Sequence, residues 1–233
     1  MYQALTSKEL FINRTDIPPY DEKKDFWEQS TDVIQCFTEE FEKMKGGVNI
    51  GGYWFHPWLY FHINFAKFMI PQVGNYGDVV DVLMNPPLDD NVLLIADSLT
   101  RAKKENKGLV MFGTRGFAKS QDLASIQHHT SLIKPGGTFK TVGGSPNDLD
   151  DLKNMLVTSL SHIHPAFNLN TLVNNSTTIE LGQRLKDGSK MMQHIIRIIN
   201  ADAEKEASSE KGAGGNPSGF ILDEAGKFDC TKV

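Results

Sequence analysis

Cysteine is nearly missing from this chain: its 233 residues include two, Cys36 and Cys230. Thiols placed so far apart supply neither a disulfide framework nor the paired spacing of a zinc site, and a reducing compartment is the simpler setting. Long apolar runs are missing too. The most lipophilic segment, Tyr53 to Ile70, is broken by His56, His62, Asn64 and Lys67, which argues against a membrane span. The N-terminus has no basic region followed by an apolar one, so no secretory leader is expected. An excess of positive charge is also lacking. With a formal net charge of −5 the whole chain does not attract nucleic acid, and any such contact has to be local. Together these absences lead to the expectation of a soluble, intracellular protein.

What is present is an ordinary globular composition, 39% hydrophobic and 23% charged, sufficient for one core. The most informative stretch is Gly113-Thr114-Arg115-Gly116-Phe117-Ala118-Lys119-Ser120, which follows the apolar run Leu109-Val110-Met111-Phe112. Its spacing is that of a phosphate-binding loop, with alanine in place of the usual second glycine. A buried strand delivers the chain to a tight turn, and small residues let backbone N–H groups close around phosphates. The lysine then reaches the β- and γ-phosphates, and the serine offers a hydroxyl to Mg²⁺. The helix that follows points its positive dipole end at the same anion.

A second motif lies downstream. Phe220-Ile221-Leu222-Asp223-Glu224 reads as a short apolar strand ending in two carboxylates. An aspartate there suits Mg²⁺ in a nucleotide hydrolase, and the adjacent glutamate suits a general base that polarises water. Standing alone, the pair would read as the acidic end of a surface strand. Behind a loop ending in Lys119-Ser120, the hydrolase reading is favoured.

The remaining pattern supplies the frame. Residues Asp21 to about Lys45 read as a helix closed by Gly46-Gly47, followed by the aromatic block Gly51 to Phe61, with Pro57 in the first turn of a second helix. Pro71 to Pro87 reads as loop. Asp89 or Asp90 caps a helix reaching Lys104, and Lys103, Lys104 and Lys107 complement its C-terminal dipole. After the phosphate loop come a helix to about Leu132 and a strand over Thr138–Val142. A helix opened by Ser145-Pro146 then carries Leu149, Leu152, Leu156 and Leu160. Thr177 to Ile199 holds Asp187-Gly188, a hairpin signal, and reads as an excursion before the acidic strand. This order predicts a parallel, three-layer α/β sheet. His128-His129 and His162/His164 read as exposed or capping residues and not as metal ligands.

With both motifs identified, the chain resembles the N-terminal ATPase part of phage large terminase subunits, the motors that pump DNA into capsids. The resemblance runs through Gly51-Gly52-Tyr53-Trp54-Phe55, Val73-Gly74-Asn75-Tyr76, Asn85-Pro86-Pro87-Leu88, Phe112 to Ser120, Val142-Gly143-Gly144-Ser145 and Asp223 to Phe228. It implies an ASCE-type P-loop core over residues 88–233, incomplete after its acidic strand, with a helical and aromatic extension over residues 1–87. Lys119 and the loop Gly113, Thr114, Arg115, Gly116, Phe117 and Ala118 would hold ATP. Ser120 and Asp223 would coordinate Mg²⁺, Glu224 would activate water, and Arg115 would stabilise γ-phosphate charge. Double-stranded viral DNA, a portal or procapsid, a small terminase subunit and a homo-oligomeric ring are the implied partners, in the host cytoplasm. The family's nuclease domain has no counterpart here, so no DNA cleavage is expected. Two other readings stay open: a non-catalytic nucleotide-binding or assembly fragment, and a helicase-like P-loop ATPase. No glutamine stands in Pro87–Asn91, where many such ATPases read adenine. The aromatic block could stack on the base, but core packing is the favoured role.

Overall fold

The computed structural model describes residues 2–74, 77–105, 119–134, 136–143, 146–185, 187–200 and 219–223. They divide into two compact units, Met1–His129 with His162–Phe167, and Thr130–Ser161 with Asn168–Val233. Lys107, the strand expected at Leu109–Phe112, the loop residues Gly113–Ala118, Glu224 and Cys230 lie outside the described residues.

The first unit starts with α1 (Tyr2–Leu5) and a 3₁₀ turn at Phe11–Asn13. The helix expected from Asp21 begins only at Thr31 (α2, Thr31–Gly46), because the preceding residues close on themselves. The Gln29 side-chain amide donates to the carbonyls of Asp21 (2.7 Å) and Lys24 (3.1 Å), leaving a separate 3₁₀ turn at Phe26–Glu28. The aromatic block then forms β1 (Val48–Ile50), β2 (Tyr53–Phe55) and α3 (Pro57–Asn64), with β1 and β2 antiparallel. His56 caps α3 by accepting the Trp58 N–H at 3.1 Å, and Pro57 occupies the first turn as expected. Phe55, Trp58, Tyr60 and Phe61 are buried, so most of the block packs the core of this unit; Trp54 stays half exposed.

Most of the segment expected as loop, Pro71 to Pro87, belongs instead to a hairpin: β3 (Phe68–Val73) pairs antiparallel with β4 (Val79–Met84). Gly74 and Gly77 lie outside the two strands, while Ile70, Val73, Val79, Val80 and Val82 supply the β-branched side chains that favour a pleated strand. Asp89 caps α4 (Asp90–Glu105), its Oδ1 accepting the N–H groups of Asn91 and Val92, both at 2.9 Å. Val92 and Ala96 are buried on its inner side. The last long helix, α5 (Lys119–Ile133), belongs to this unit up to His129.

The second unit is a five-stranded sheet in the order β6-β7-β8-β5-β9 with α6 (Pro146–Leu160) packed on it. Its strands are β5 (Gly137–Gly143), β6 (Asn170–Asn174), β7 (Thr178–Arg184), β8 (Lys190–Asn200) and β9 (Gly219–Asp223). The wholly parallel sheet expected is replaced by a mixed one. β8, β5 and β9 are parallel, whereas β6, β7 and β8 form an antiparallel meander. The turn at Asp187-Gly188, with Gly188 at φ +79°, reverses the chain and forces β7 to run against β8. The excursion is therefore part of the sheet, and its second arm lies directly beside β5. Leu149, Leu152, Leu156 and Leu160 of α6 are buried, as are Phe139, Ile179, Leu181, Ile196 and Ile198 of the strands.

Candidate functional site

Lys119 is the first residue of α5, and Ser120, half-buried, follows in its first turn. Both belong to the first unit. Asp223 is the last residue of β9 in the second unit. There β9 pairs in parallel with β5, Leu222 opposite Val142 and Asp223 opposite Gly143. Asp223 thus stands at the carboxyl end of the sheet's parallel part, the side on which open α/β sheets collect ligands. Arg115 and Glu224 fall outside the described residues.

What surrounds α5 was not anticipated from the sequence. Asp122, Ser125, Gln127, His128, His129 and Ser131 are all buried. Within the first unit the Ser125 hydroxyl is a hub, taking the indole N–H of Trp58 at 3.1 Å and lying 2.8 Å from His62 Nδ1. The other ring nitrogen of His62 approaches Asp122 Oδ1 at 3.5 Å, a contact between dipole and carboxyl and not a made hydrogen bond. Burial pushes His62 down to about 3, so the ring is neutral and the pair is no ion pair. Burial, and then the charge of Asp89, push Asp122 up to about 7. Further along, His129 Nε2 meets the Met44 carbonyl at 2.7 Å, and its ring packs on Phe61.

The aromatic block is thereby bolted to the helix that the phosphate loop would feed. The signal for this was in the sequence: a helix with buried apolar neighbours but Ser, Gln and His on every side needs buried partners for those groups. His128 and His129 are accordingly buried and not exposed, which corrects the earlier expectation. His164 does cap, its Nδ1 accepting the Ala166 N–H at 3.1 Å, while its ring stacks on Phe37. Among the described residues no group of three or more His, Cys, Asp or Glu side chains is gathered for a metal ion.

These elements define a mixed α/β protein with a mixed parallel and antiparallel sheet. Among the described residues no helix is long and apolar enough to cross a membrane. No protein-family model and no curated protein matches the chain. Among solved structures it is similar to the large terminase ATPase domain of Thermus phage P74-26, at 13% identity and a TM-score of 0.41 over 48% of this chain and 46% of that one. An arginine-to-alanine mutant of the same domain gives 14% identity and a TM-score of 0.40 over 48% and 45%. The matched part is less than half of either chain, and a likeness of this depth assigns neither a family nor an activity.

Proposed function

We propose that this chain is the ATPase portion of a viral DNA-packaging motor, a terminase large subunit that couples ATP hydrolysis to movement of double-stranded DNA. The observation that carries the reading is the setting of its two motifs. Lys119-Ser120 closes a phosphate-loop spacing and opens a helix, and Asp223 ends an apolar strand in the parallel part of a sheet, with Glu224 next in the chain.

In this reading the loop Gly113–Ala118 wraps the phosphates with backbone N–H groups, and Lys119 neutralises them as a point charge. A serine hydroxyl and a carboxylate are hard oxygen donors of the kind Mg²⁺ takes, so Ser120 and Asp223 are the residues suited to hold it; when bound, the ion neutralises charge between the β- and γ-phosphates. Glu224 accepts a proton from the attacking water, and the Arg115 guanidinium faces the charge gathering on the γ-phosphate oxygens. Portal or procapsid, small terminase subunit and further copies in a ring are the partners such a motor takes in the host cytoplasm.

The test is ATP turnover and nucleotide affinity of the full chain and two variants. Glu224→Gln should keep affinity and lose turnover by about a hundredfold or more, the usual contribution of a general base. Lys119→Ala should lose affinity itself. Equal turnover in wild type and Glu224→Gln would remove Glu224 from its role. Affinity without turnover in the wild type would favour the nucleotide-binding assembly fragment instead.

A further inference from the structure

Helix α5 meets the rest of the first unit through a polar seam. Asp122, Ser125 and His129 fall at i, i+3 and i+7, on one side of the helix, and all three are buried. Ser125 Oγ takes the Trp58 indole N–H at 3.1 Å and lies 2.8 Å from His62 Nδ1, both from α3. His129 Nε2 lies 2.7 Å from the Met44 carbonyl oxygen of α2. Hydrogen bonds weaken steeply with misalignment, so these contacts fix the height of α5 against its neighbours as an apolar seam would not.

The remaining contact of the seam is open. His62 Nε2 and Asp122 Oδ1 face each other at 3.5 Å, and among the described residues this nitrogen has no hydrogen-bond partner. A buried polar atom left unpaired costs free energy that a partner at hand would recover. Closing the gap takes an approach of about half an ångström, whichever of the two groups carries the proton. Asp122 belongs to the first turn of α5, so the open contact lies toward the end that carries Lys119-Ser120. The made contacts lie farther along. The helix is thus pinned at Ser125 and His129 and stops short of its neighbour at Asp122.

We propose that this open contact is a latch: an anion bound at the start of α5 closes the His62–Asp122 bond, and His62 and Ser125 act as positioning residues that carry the movement to Trp58. The inference rests on reading Gly113–Ser120 as a phosphate loop. Phosphate gathers the free N–H groups of the first helical turn and favours an ordered turn over a frayed one. Asp122 is part of that turn, so ordering it sets the carboxyl against His62. An imidazole N–H on the carboxylate also offsets its repulsion of an arriving phosphate. Closure and phosphate binding then favour each other by the same free energy, because coupling between sites is reciprocal. Trp58 is placed to register the step. Its indole N–H rests on Ser125, and its ring lies against the His62 imidazole with centroids 4.8 Å apart. A seam that served as scaffold alone would hold Trp58 in one setting with or without phosphate.

Fluorescence of the full chain carrying Trp27→Phe and Trp54→Phe tests the latch. Both replaced residues are exposed, by 79% and 52%, and Trp58 is then the sole tryptophan. Mg-ADP is the probe, with its affinity measured separately by equilibrium dialysis. Trp58 emission should change with added nucleotide and saturate at the Kd found by dialysis. His62→Asn keeps an amide atom where Nδ1 meets Ser125 and has none in the place of Nε2. It should lose the emission change and bind Mg-ADP at least about fivefold more weakly, the low end of a coupling between sites. Binding that leaves Trp58 emission unchanged, or a His62→Asn chain that responds and binds like its parent, would overturn the latch alone. No binding in dialysis would overturn the phosphate-loop reading and the latch with it. The emission of the parent chain needs no core substitution, so it decides the matter even where His62→Asn fails to fold.

Discussion

Single residues reveal where the first unit spends polar groups in its core. Glu40 is fully buried on α2 and collects Lys43 Nζ at 2.8 Å, Arg14 Nη1 at 3.3 Å and the Tyr60 hydroxyl. It joins the N-terminal segment, α2 and α3 through one carboxylate. Removing one partner of a buried charge network leaves the others uncompensated, so Glu40→Ala should cost about 3 kcal/mol. All three tryptophans, Trp27, Trp54 and Trp58, lie in this unit, so urea unfolding followed by tryptophan fluorescence reports on it; an unchanged midpoint would rule out the network as a stabilising device. His62 makes a prediction about pH. Its folded pKa, about 3, lies below the unfolded value of about 6.5, so the unfolded chain takes up the proton first. The neutral ring's contribution is complete above the unfolded pKa and is lost as pH falls toward 3. His56 and His164, both pushed down to about 4 by burial first and by a nearby lysine second, act in the same direction. Asp122, pushed up to about 7, acts the other way, the folded chain taking up its proton first, and offsets about one of these three. The tryptophan-detected midpoint should still fall between about pH 7.5 and about pH 5, and His62→Gln should flatten that slope by close to one proton. A slope identical in wild type and variant would show that His62 does not stay neutral on folding.

At the level of elements, Ser125 couples α3 to α5. Ser125→Ala would leave the Trp58 N–H and a His62 ring nitrogen buried without their partner, at a cost of about 2 kcal/mol in the same unfolding measurement. In the second unit Gly182 has no room for a side chain: an added Cβ would collide with the Met191 carbonyl oxygen of β8 and sit 2.8 Å from Leu172 Cδ1. It also sits where the β7–β8 register shifts. Gly182→Ala should push the strands apart at a cost of about 2 kcal/mol and speed amide exchange along β7 and β8 at least about tenfold; unaltered exchange would mean the strands absorb the methyl group without moving. The helices were legible because their ends are written locally, in Asp89 before α4 and Pro57 at α3, and because leucines of α6 recur on one side. The hairpin at residues 68–84 was not, since Gly74, Asn75, Gly77 and Pro71 mask a β-branched pattern. Asp187-Gly188 announced a turn correctly, yet a turn does not say which strand its arm will join, and the place of β8 beside β5 depends on long-range pairing that no local pattern encodes.

For the molecule as a whole, the candidate site was legible as chemistry but not as surroundings. Lys119, Ser120, Asp223 and Glu224 stand out by residue type and spacing, whereas Ser125, His62 and Asp122 are ordinary residues whose association spans about sixty positions of sequence. A chain of net charge −5 gains nothing from diffuse attraction to a polyanion, so nucleotide capture would depend on those few groups acting together. Ligand linkage turns that into a measurement independent of turnover. A ligand that binds only the folded state at a hundred times its Kd stabilises it by about 2.7 kcal/mol, and the melting temperature should rise on adding Mg-ATP. Lys119→Ala should abolish the rise, because in the proposed reading it removes the charge that meets the phosphates. Asp223→Ala should leave a rise with ATP that no longer responds to Mg²⁺, because in the proposed reading it removes a metal ligand and spares the phosphate contacts. Glu224→Gln should match the wild type, since a base that acts on water contributes little to ground-state affinity. A rise that survives Lys119→Ala unchanged would place the nucleotide elsewhere on the chain and detach α5 from any role in binding it.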